Sequence, residues 1–232
     1  HVIILVFSKD LGSAVIFFAG YLIMVFIATK NYFYLFAGIL GGAGASIVAY
    51  HMFSHVRTRV IAFLHPWSNI NDSGYQITQS LFAIGTGGWF GLGIDQGDPT
   101  SIPYVEQDFV FSAVAEEMGV IFGICLILVC VSCFIVFMKI AMQLKEDFYR
   151  YIAVGISTIY IFQVFLTIGG GTRFIPLTGV TLPLVSYGGS SVLTTIIMFS
   201  IIQGLYCIQS QEGKRNARKE RRRTADREAG EE

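Results

Sequence analysis

Five stretches of this chain stay apolar long enough to cross a lipid bilayer. A helix spanning the hydrocarbon core needs about 20 predominantly apolar residues. Residues 11–29, 32–54, 109–138, 151–170 and 190–209 each meet that condition. The third run is longer than one crossing requires, so its first turns should project beyond the lipid core or the helix should tilt. Residues 1–8, HVIILVFS, are apolar but too short to span. The pattern predicts an all-α fold, a polytopic membrane helical bundle over residues 1–212, followed by a charged tail over 213–232.

Two connecting segments are unlike ordinary loops. Residues 55–108 form a long connection carrying Trp67, Tyr75, Trp89, Phe90 and Tyr104. Long connections of this kind are usually functional or disordered, and this one is not low-complexity. Within it, residues 79–92 are apolar but broken by glycine, as suits an element lying at the membrane interface. The run GTGGWFGLG superficially resembles a phosphate-binding loop, but it lacks the Lys-Ser/Thr pair and a preceding strand. Residues 169–191, GGGTRFIPLTGVTLPLVSYGGSS, contain two prolines and several glycines. They cannot form one helix, and are expected to pack as a re-entrant or surface loop against the spans.

Composition agrees with a membrane protein. The 232 residues are 53% hydrophobic and 14% charged, against about 25% charged in a soluble domain, and the mean hydropathy is +0.61. A disordered chain, a collagen-like repeat and most soluble enzymes are thereby excluded. The net charge of zero hides an uneven distribution. Residues 60–138 carry seven carboxylates and no Lys or Arg. Placing the C-terminus in the cytoplasm puts 12 Lys and Arg inside and 4 outside, so the positive-inside rule favours that orientation. Residues 55–108 and 171–189 then face outward. The tail reads as a solvated end, with a polybasic patch on anionic lipid as the alternative. Cys130 and Cys133 share a helix face, which suits packing better than metal binding when no second pair exists.

The candidate chemistry lies in the outward segments. Asp108 opens the third span. As a partly desolvated carboxylate beside Glu106 it could serve as a general base, although Asp is also a favoured helix cap. Glu116 and Glu117 follow two turns later, at a depth where carboxylates are costly. On a continuous helix they lie about 80° and 180° round from Asp108, so the three cannot line one wall. Arg57 and Arg59 could clamp a phosphate, or anchor at the interface. Arg173 offers a third such contact, with the same alternative. Lys9 and Asp10 suggest a local ion pair.

Several ordered motifs then carry a resemblance. PLTGVTLPLVSYGGSS (176–191), YQITQSLFAIGTGGWFGLGI (75–94), DFVFSAVAEEMG (108–119), KDLGSA (9–14) and RVIAFLHPW (59–67) together resemble the SEDS family of FtsW, RodA and SpoVE. The resemblance covers about residues 9–209. It implies a bacterial inner-membrane protein of ten spans that polymerises lipid II into peptidoglycan beside a class B penicillin-binding protein. The five runs here correspond to the last five spans, and the start at His1 fits a piece of a longer chain. The family's essential aspartate falls on Asp108, within Glu106-Gln107-Asp108-Phe109. The chain departs from the usual family pattern at Lys9, His65, Gln107 and residues 169–174.

The resemblance implies glycosyl transfer with Asp108 as general base. Arg57, Arg59 and Arg173 are expected near the pyrophosphate, and Glu106, Glu116, Glu117, Ser186 and Tyr187 are expected to contact substrate. A divalent cation, Mg²⁺ or Mn²⁺, is the alternative source of charge stabilisation, since the acidic loop offers oxygen ligands. Lipid II, the nascent glycan and membrane lipids are the expected partners, and nucleic acid is not. A lipid II transporter and a non-catalytic scaffold for a penicillin-binding protein remain as alternatives.

Overall fold

The computed structural model describes residues 10–70 and 72–228, with side chains described as far as Gln211. The short apolar run 1–8 and Lys9, with its expected ion pair to Asp10, lie outside the described residues. Among the described residues seven α-helices follow in order: α1 (Leu11–Thr29), α2 (Tyr32–Met52), α3 (Ser54–Leu64), α4 (Tyr75–Gly87), α5 (Val110–Gln143), α6 (Asp147–Gly171) and α7 (Gly189–Glu228). Five of these are long and apolar enough to cross a membrane: α1, α2, α5, α6 and the Gly189–Gln211 part of α7.

Local chemistry explains several boundaries. Asp10 caps α1 by accepting from the Ser13 amide at 3.0 Å, which satisfies a donor that the first turn leaves orphaned. Lys30 ends α1 in the left-handed region. Asn31 then caps α2 by accepting from the Phe33 amide at 2.9 Å, so the α1–α2 connection is tight.

The core lies where α5, α6 and α7 meet. Phe137, Tyr160 and Phe199 pack there as an aromatic trio, with ring centroids 4.9–5.8 Å apart. Cys130 is buried in the same cluster. Helix α6 also packs along α1, while α4 lies against the start of α5. No residue of α2 is buried.

Two elements differ from the expected pattern. Helix α5 is not continuous: Gly119 sits at φ 84°, ψ 168° and breaks it. The residues from Val120 to Gln143 alone reach about 36 Å at ~1.5 Å per residue, enough for the hydrocarbon core. The break is filled by residues 88–93, which insert as a wedge of backbone. Val120 and Ile121 donate to the carbonyls of Gly88 (2.9 Å) and Trp89 (3.3 Å). In return, Leu92 and Gly93 donate to the carbonyls of Glu116 and Glu117, both at 2.9 Å. The groups freed by the break are thus satisfied within the protein. This close approach needs glycine, because a Cβ on Gly91 would sit 2.2 Å from the Glu117 carbonyl oxygen.

The second difference is the tail. Helix α7 continues through the expected boundary at 212–213 to Glu228. Residues 213–228 are rich in Lys, Arg, Glu and Ala, all good helix formers.

Candidate active site

The connectivity gathers the segments 53–109 and 172–188 at one end of the bundle, together with the start of α1. Two pegs fix the turn that carries Asp108. On one side Ile102 and Phe109 are fully buried against Ala83 of α4. On the other, the Tyr187 amide donates to the Glu106 carbonyl at 2.7 Å. The Ser186 hydroxyl donates to the Gln107 carbonyl and accepts from the Leu182 amide. Asp108 lies between these anchors, on the wall of a cavity of about 460 Å³. Arg59 and Thr58 of α3, Gln76 of α4, Tyr104, Gln107 and Gly179 complete much of that wall.

Asp108 is not the cap of α5. The helix starts at Val110, and Phe109 occupies the cap position without a side-chain bond. The carboxylate is half-buried, and its Oδ1 has no hydrogen-bond partner. Burial pushes its carboxyl above the usual carboxylate range, while its own backbone amide and the Arg59 guanidinium pull the other way. Repulsion from Glu106 is not a cause, since that side chain is exposed. Asp108 and Arg59 flank Gly179: a Cβ there would be 3.7 Å from Arg59 Nη2 and 4.0 Å from Asp108 Oδ2.

The arginines of the sequence motif separate. Arg59 donates through Nη1 to the carbonyls of Leu177 (3.3 Å) and Thr178 (3.0 Å), which leaves its other donors for a ligand. Arg57, two residues earlier, points away: it donates to the His51 carbonyl at 3.3 Å and lies over the Tyr50 ring. Residues two apart on a helix do not share a face. Arg173 donates to the carbonyls of Phe63 (3.0 Å) and Leu64 (3.4 Å) at the end of α3. Those carbonyls lack helical partners and carry the negative end of the helix dipole.

The two glutamates also serve a different segment. Glu116 accepts from the Asp98 amide and Glu117 from the Asp95 amide, both at 3.3 Å. They hold the 95–98 turn and do not line the Asp108 cavity. Ser186 is buried with both its hydrogen-bonding roles taken, whereas the Tyr187 side chain is 73% exposed.

A second cavity, of about 550 Å³, adjoins the first through shared Gln107 and Gly179. Asp10, Ser13, Gln163, Tyr187 and Ser190 lie on its wall. The sequence gives Asp10 only a local pairing and offers no signal for Gln107 or Gln163. Their convergence depends on the 172–188 segment, which α6 holds in place: Thr167 donates to the Val180 carbonyl at 2.8 Å and Gln163 to the Thr181 carbonyl at 3.2 Å.

Comparison with known proteins matches this arrangement to a family. The family model described as "Cell cycle protein", for FtsW, RodA and SpoVE, matches residues 1–211. "Peptidoglycan glycosyltransferase RodA" of Mycobacterium tuberculosis (strain ATCC 25618 / H37Rv) is 38% identical over 200 residues, covering 86% of this chain and 42% of the relative. "Probable peptidoglycan glycosyltransferase FtsW" of Aliivibrio salmonicida is 36% identical over 205 residues, covering 85% of this chain and 51% of the relative. "Stage V sporulation protein E" of Bacillus subtilis is 34% identical over 199 residues, covering 84% and 54%. The chain thus spans about half the length of the curated relatives it matches. A solved chain from "Structural coordination of polymerization and crosslinking by a peptidoglycan synthase complex" superposes with a TM-score of 0.73 at 25% identity, over 89% of this chain and 58% of that one. With five helices apolar and long enough to cross a membrane and a family model matched over residues 1–211, the chain is a multi-pass membrane protein and belongs to the FtsW/RodA/SpoVE family.

Proposed function

We propose that this chain supplies the catalytic end of a peptidoglycan polymerase that joins lipid II units into glycan strands. The observation that carries the reading is Asp108: a partly desolvated carboxylate with an unpartnered oxygen, on a cavity wall beside Arg59. The names of the relatives supply the reaction class.

The chemistry follows from those two side chains. A sugar 4-hydroxyl attacks the anomeric carbon of the growing strand. A new C–O bond forms, the bond from that carbon to the pyrophosphate oxygen breaks, and undecaprenyl pyrophosphate leaves with the electron pair. Asp108 takes the hydroxyl proton, which requires its ionised form. A base of raised pKa holds the proton better and works best nearer neutral pH. Arg59 meets the charge that develops on the leaving pyrophosphate. Its partial immobilisation on the Leu177 and Thr178 carbonyls orients it before substrate arrives. The functional contribution of Arg57, Arg173, Glu106, Glu116 and Glu117 in this reading is to shape the surrounding segments.

A divalent cation fits only jointly with substrate. Among the described residues no three His, Cys, Asp or Glu side chains cluster as a metal site. Asp108 is a hard oxygen ligand, and Mg²⁺ often combines one or two carboxylates with substrate phosphate. A cation held that way would neutralise pyrophosphate charge.

The reading places the C-terminus in the cytoplasm and the Asp108 end outside, where lipid II sugars are displayed. The partner it implies is a class B penicillin-binding protein, in keeping with the coupling of polymerisation and cross-linking named for the matching complex. Product analysis tests it. The full natural chain, purified with that partner and given fluorescent lipid II and Mn²⁺, should yield a ladder of glycan strands on a gel. Movement of lipid II across vesicles with no glycan product would replace polymerisation by transport.

A further inference from the structure

Hydroxyls on the helices of this protein are commonly satisfied within their own helix. Thr58, Thr78, Ser132, Ser157 and Thr194 each donate to the carbonyl four residues earlier, a bond that any helical Ser or Thr can make. Ser80 and Ser112 bond across helices instead. Ser80 of α4 donates to the Gly171 carbonyl at the end of α6, at 2.7 Å. Its one proton is thereby committed, so Ser112 of α5 is the donor in the 2.5 Å contact between the two hydroxyls. The chain of bonds therefore runs from Ser112 to Ser80 to Gly171.

Both serines are fully buried, and a buried hydroxyl is costly unless it is bonded. The three helices joined here each carry part of the site. Helix α4 carries Gln76, one turn before Ser80. Helix α6 leads through Gly171 into the 172–188 segment, whose Ser186 and Tyr187 hold the Asp108 turn. Ser112 lies one turn after Asp108, and its amide donates to the Phe109 carbonyl at 2.9 Å. The Phe109 ring closes on the same point: a Cβ on Gly171 would lie 3.4 Å from Ser112 Oγ and 3.9 Å from both Ser80 Oγ and Phe109 Cδ1.

Neither serine, nor Gly171, lies on the wall of either cavity. Their effect on chemistry therefore runs through the residues they hold. Apolar side chains could also fill this space. A hydrogen-bonded chain adds direction, because its geometry is satisfied at only one rotation of α5 about its axis. That rotation sets where the Asp108 carboxylate points.

We propose that Ser112 and Ser80 are positioning residues, which aim the Asp108 carboxylate by locking the first turn of α5 to α4 and to the end of α6. The proposal rests on the polymerase reading for the reaction that Asp108 serves.

The test is the kinetics of lipid II polymerisation by the full natural chain with its penicillin-binding partner. Ser112→Ala removes one hydroxyl, keeps the Ser80–Gly171 bond and places a better helix former in α5, so folding should be retained. Displacing a reacting group by about 1 Å can cost about 10²-fold, so kcat should fall by about 5- to 50-fold, with KM within about 2-fold of the parent. Ser157→Ala is the control. It removes an equally buried hydroxyl that bonds to Ala153 of its own helix and touches neither cavity, and it should keep the parent kcat.

Two combined variants separate aim from stability. Ser112→Ala added to Ser80→Ala should cost nothing further, because Ser80→Ala has already broken the bond between them. Ser112→Ala added to Asp108→Asn should also cost nothing further, because no base is left to aim. A structural role alone would lower the residual rate of Asp108→Asn by the same factor as it lowers the parent's, and that result overturns the proposal. An unchanged kcat in Ser112→Ala, or an equal loss in Ser157→Ala, overturns it too. If Ser112→Ala does not fold, Ser112→Cys weakens the donor and is read against the same Asp108→Asn background, with an unchanged kcat or a persistent loss again overturning the proposal. A parent that makes no glycan refutes the polymerase reading and the positioning role with it. A parent that polymerises beside an unimpaired Ser112→Ala refutes the positioning role alone.

Discussion

Replacing Gly119 with alanine should cost several kcal/mol, although it adds one methyl group. At φ 84°, ψ 168° the residue occupies backbone space that is essentially reserved for glycine, and a non-glycine residue held there costs about 1–3 kcal/mol. A Cβ would also meet Gly91 N and the Trp89 carbonyl oxygen at 2.4 Å, and the Phe90 carbonyl carbon at 2.5 Å. All three are backbone, so no side chain can swing aside. Relief requires expelling the 88–93 wedge, with loss of the four hydrogen bonds that close the break. At about 0.5–1.5 kcal/mol each those bonds add about 2–6 kcal/mol. The expected loss is therefore at least ~3 kcal/mol, read as a fall in Tm. Gly85→Ala is the matched control. Gly85 is helical and exposed in α4, nothing lies within 4 Å of its Cβ position, and alanine there should stabilise by about 0.5–1 kcal/mol. Thermal unfolding of both variants of the full natural chain in detergent is the assay. A Gly119→Ala protein within ~0.5 kcal/mol of its parent would refute the wedge.

Other residues give further expectations. Arg173→Ala releases the Phe63 and Leu64 carbonyls at the end of α3, and should lower stability by about 1–3 kcal/mol, while Arg57→Ala should change it little; paired melting curves compare them. Arg59→Ala should lower kcat of polymerisation by about 10²–10³-fold if it meets the leaving charge, and an unchanged kcat would remove that role. Because folding raises the Asp108 pKa, the parent loses stability as pH rises from the ordinary carboxylate value through the folded value. Asp108→Asn should then melt above its parent at neutral pH and converge with it in acid. A gap that widens in acid contradicts the burial argument.

The membrane layout was legible in the sequence because hydropathy depends on each segment alone. Residues 11–29 match Leu11–Thr29, and the runs 32–54, 151–170 and 190–209 fall within a few residues on α2, α6 and the Gly189–Gln211 part of α7. The break at Gly119 was not legible. A lone glycine in a long apolar helix is usually tolerated, and what opens this one is a wedge some 30 residues earlier in the chain. The same long-range contact gives residues 88–93 a structural explanation that their glycine spacing does not reveal. The motif singles out Asp108 but gives no reason for its partial burial, to which the docking of Ser186 and Tyr187 from the 172–188 segment contributes. The spacing of Arg57 and Arg59 suggested a pair, and the helical turn of α3 separates them. Arg173 reads as a phosphate contact by charge alone, while its partners are carbonyls that become orphaned only once α3 ends at Leu64.

The most direct test of the account is the rate of lipid II polymerisation by the full natural chain carrying Asp108→Asn, beside its parent and with the penicillin-binding partner present. The amide keeps the shape and cannot accept the hydroxyl proton as a base. The account predicts a loss of about 10²–10⁴-fold in rate, with folding retained. A variant that polymerises within a few-fold of its parent would contradict the assignment of Asp108 as the base.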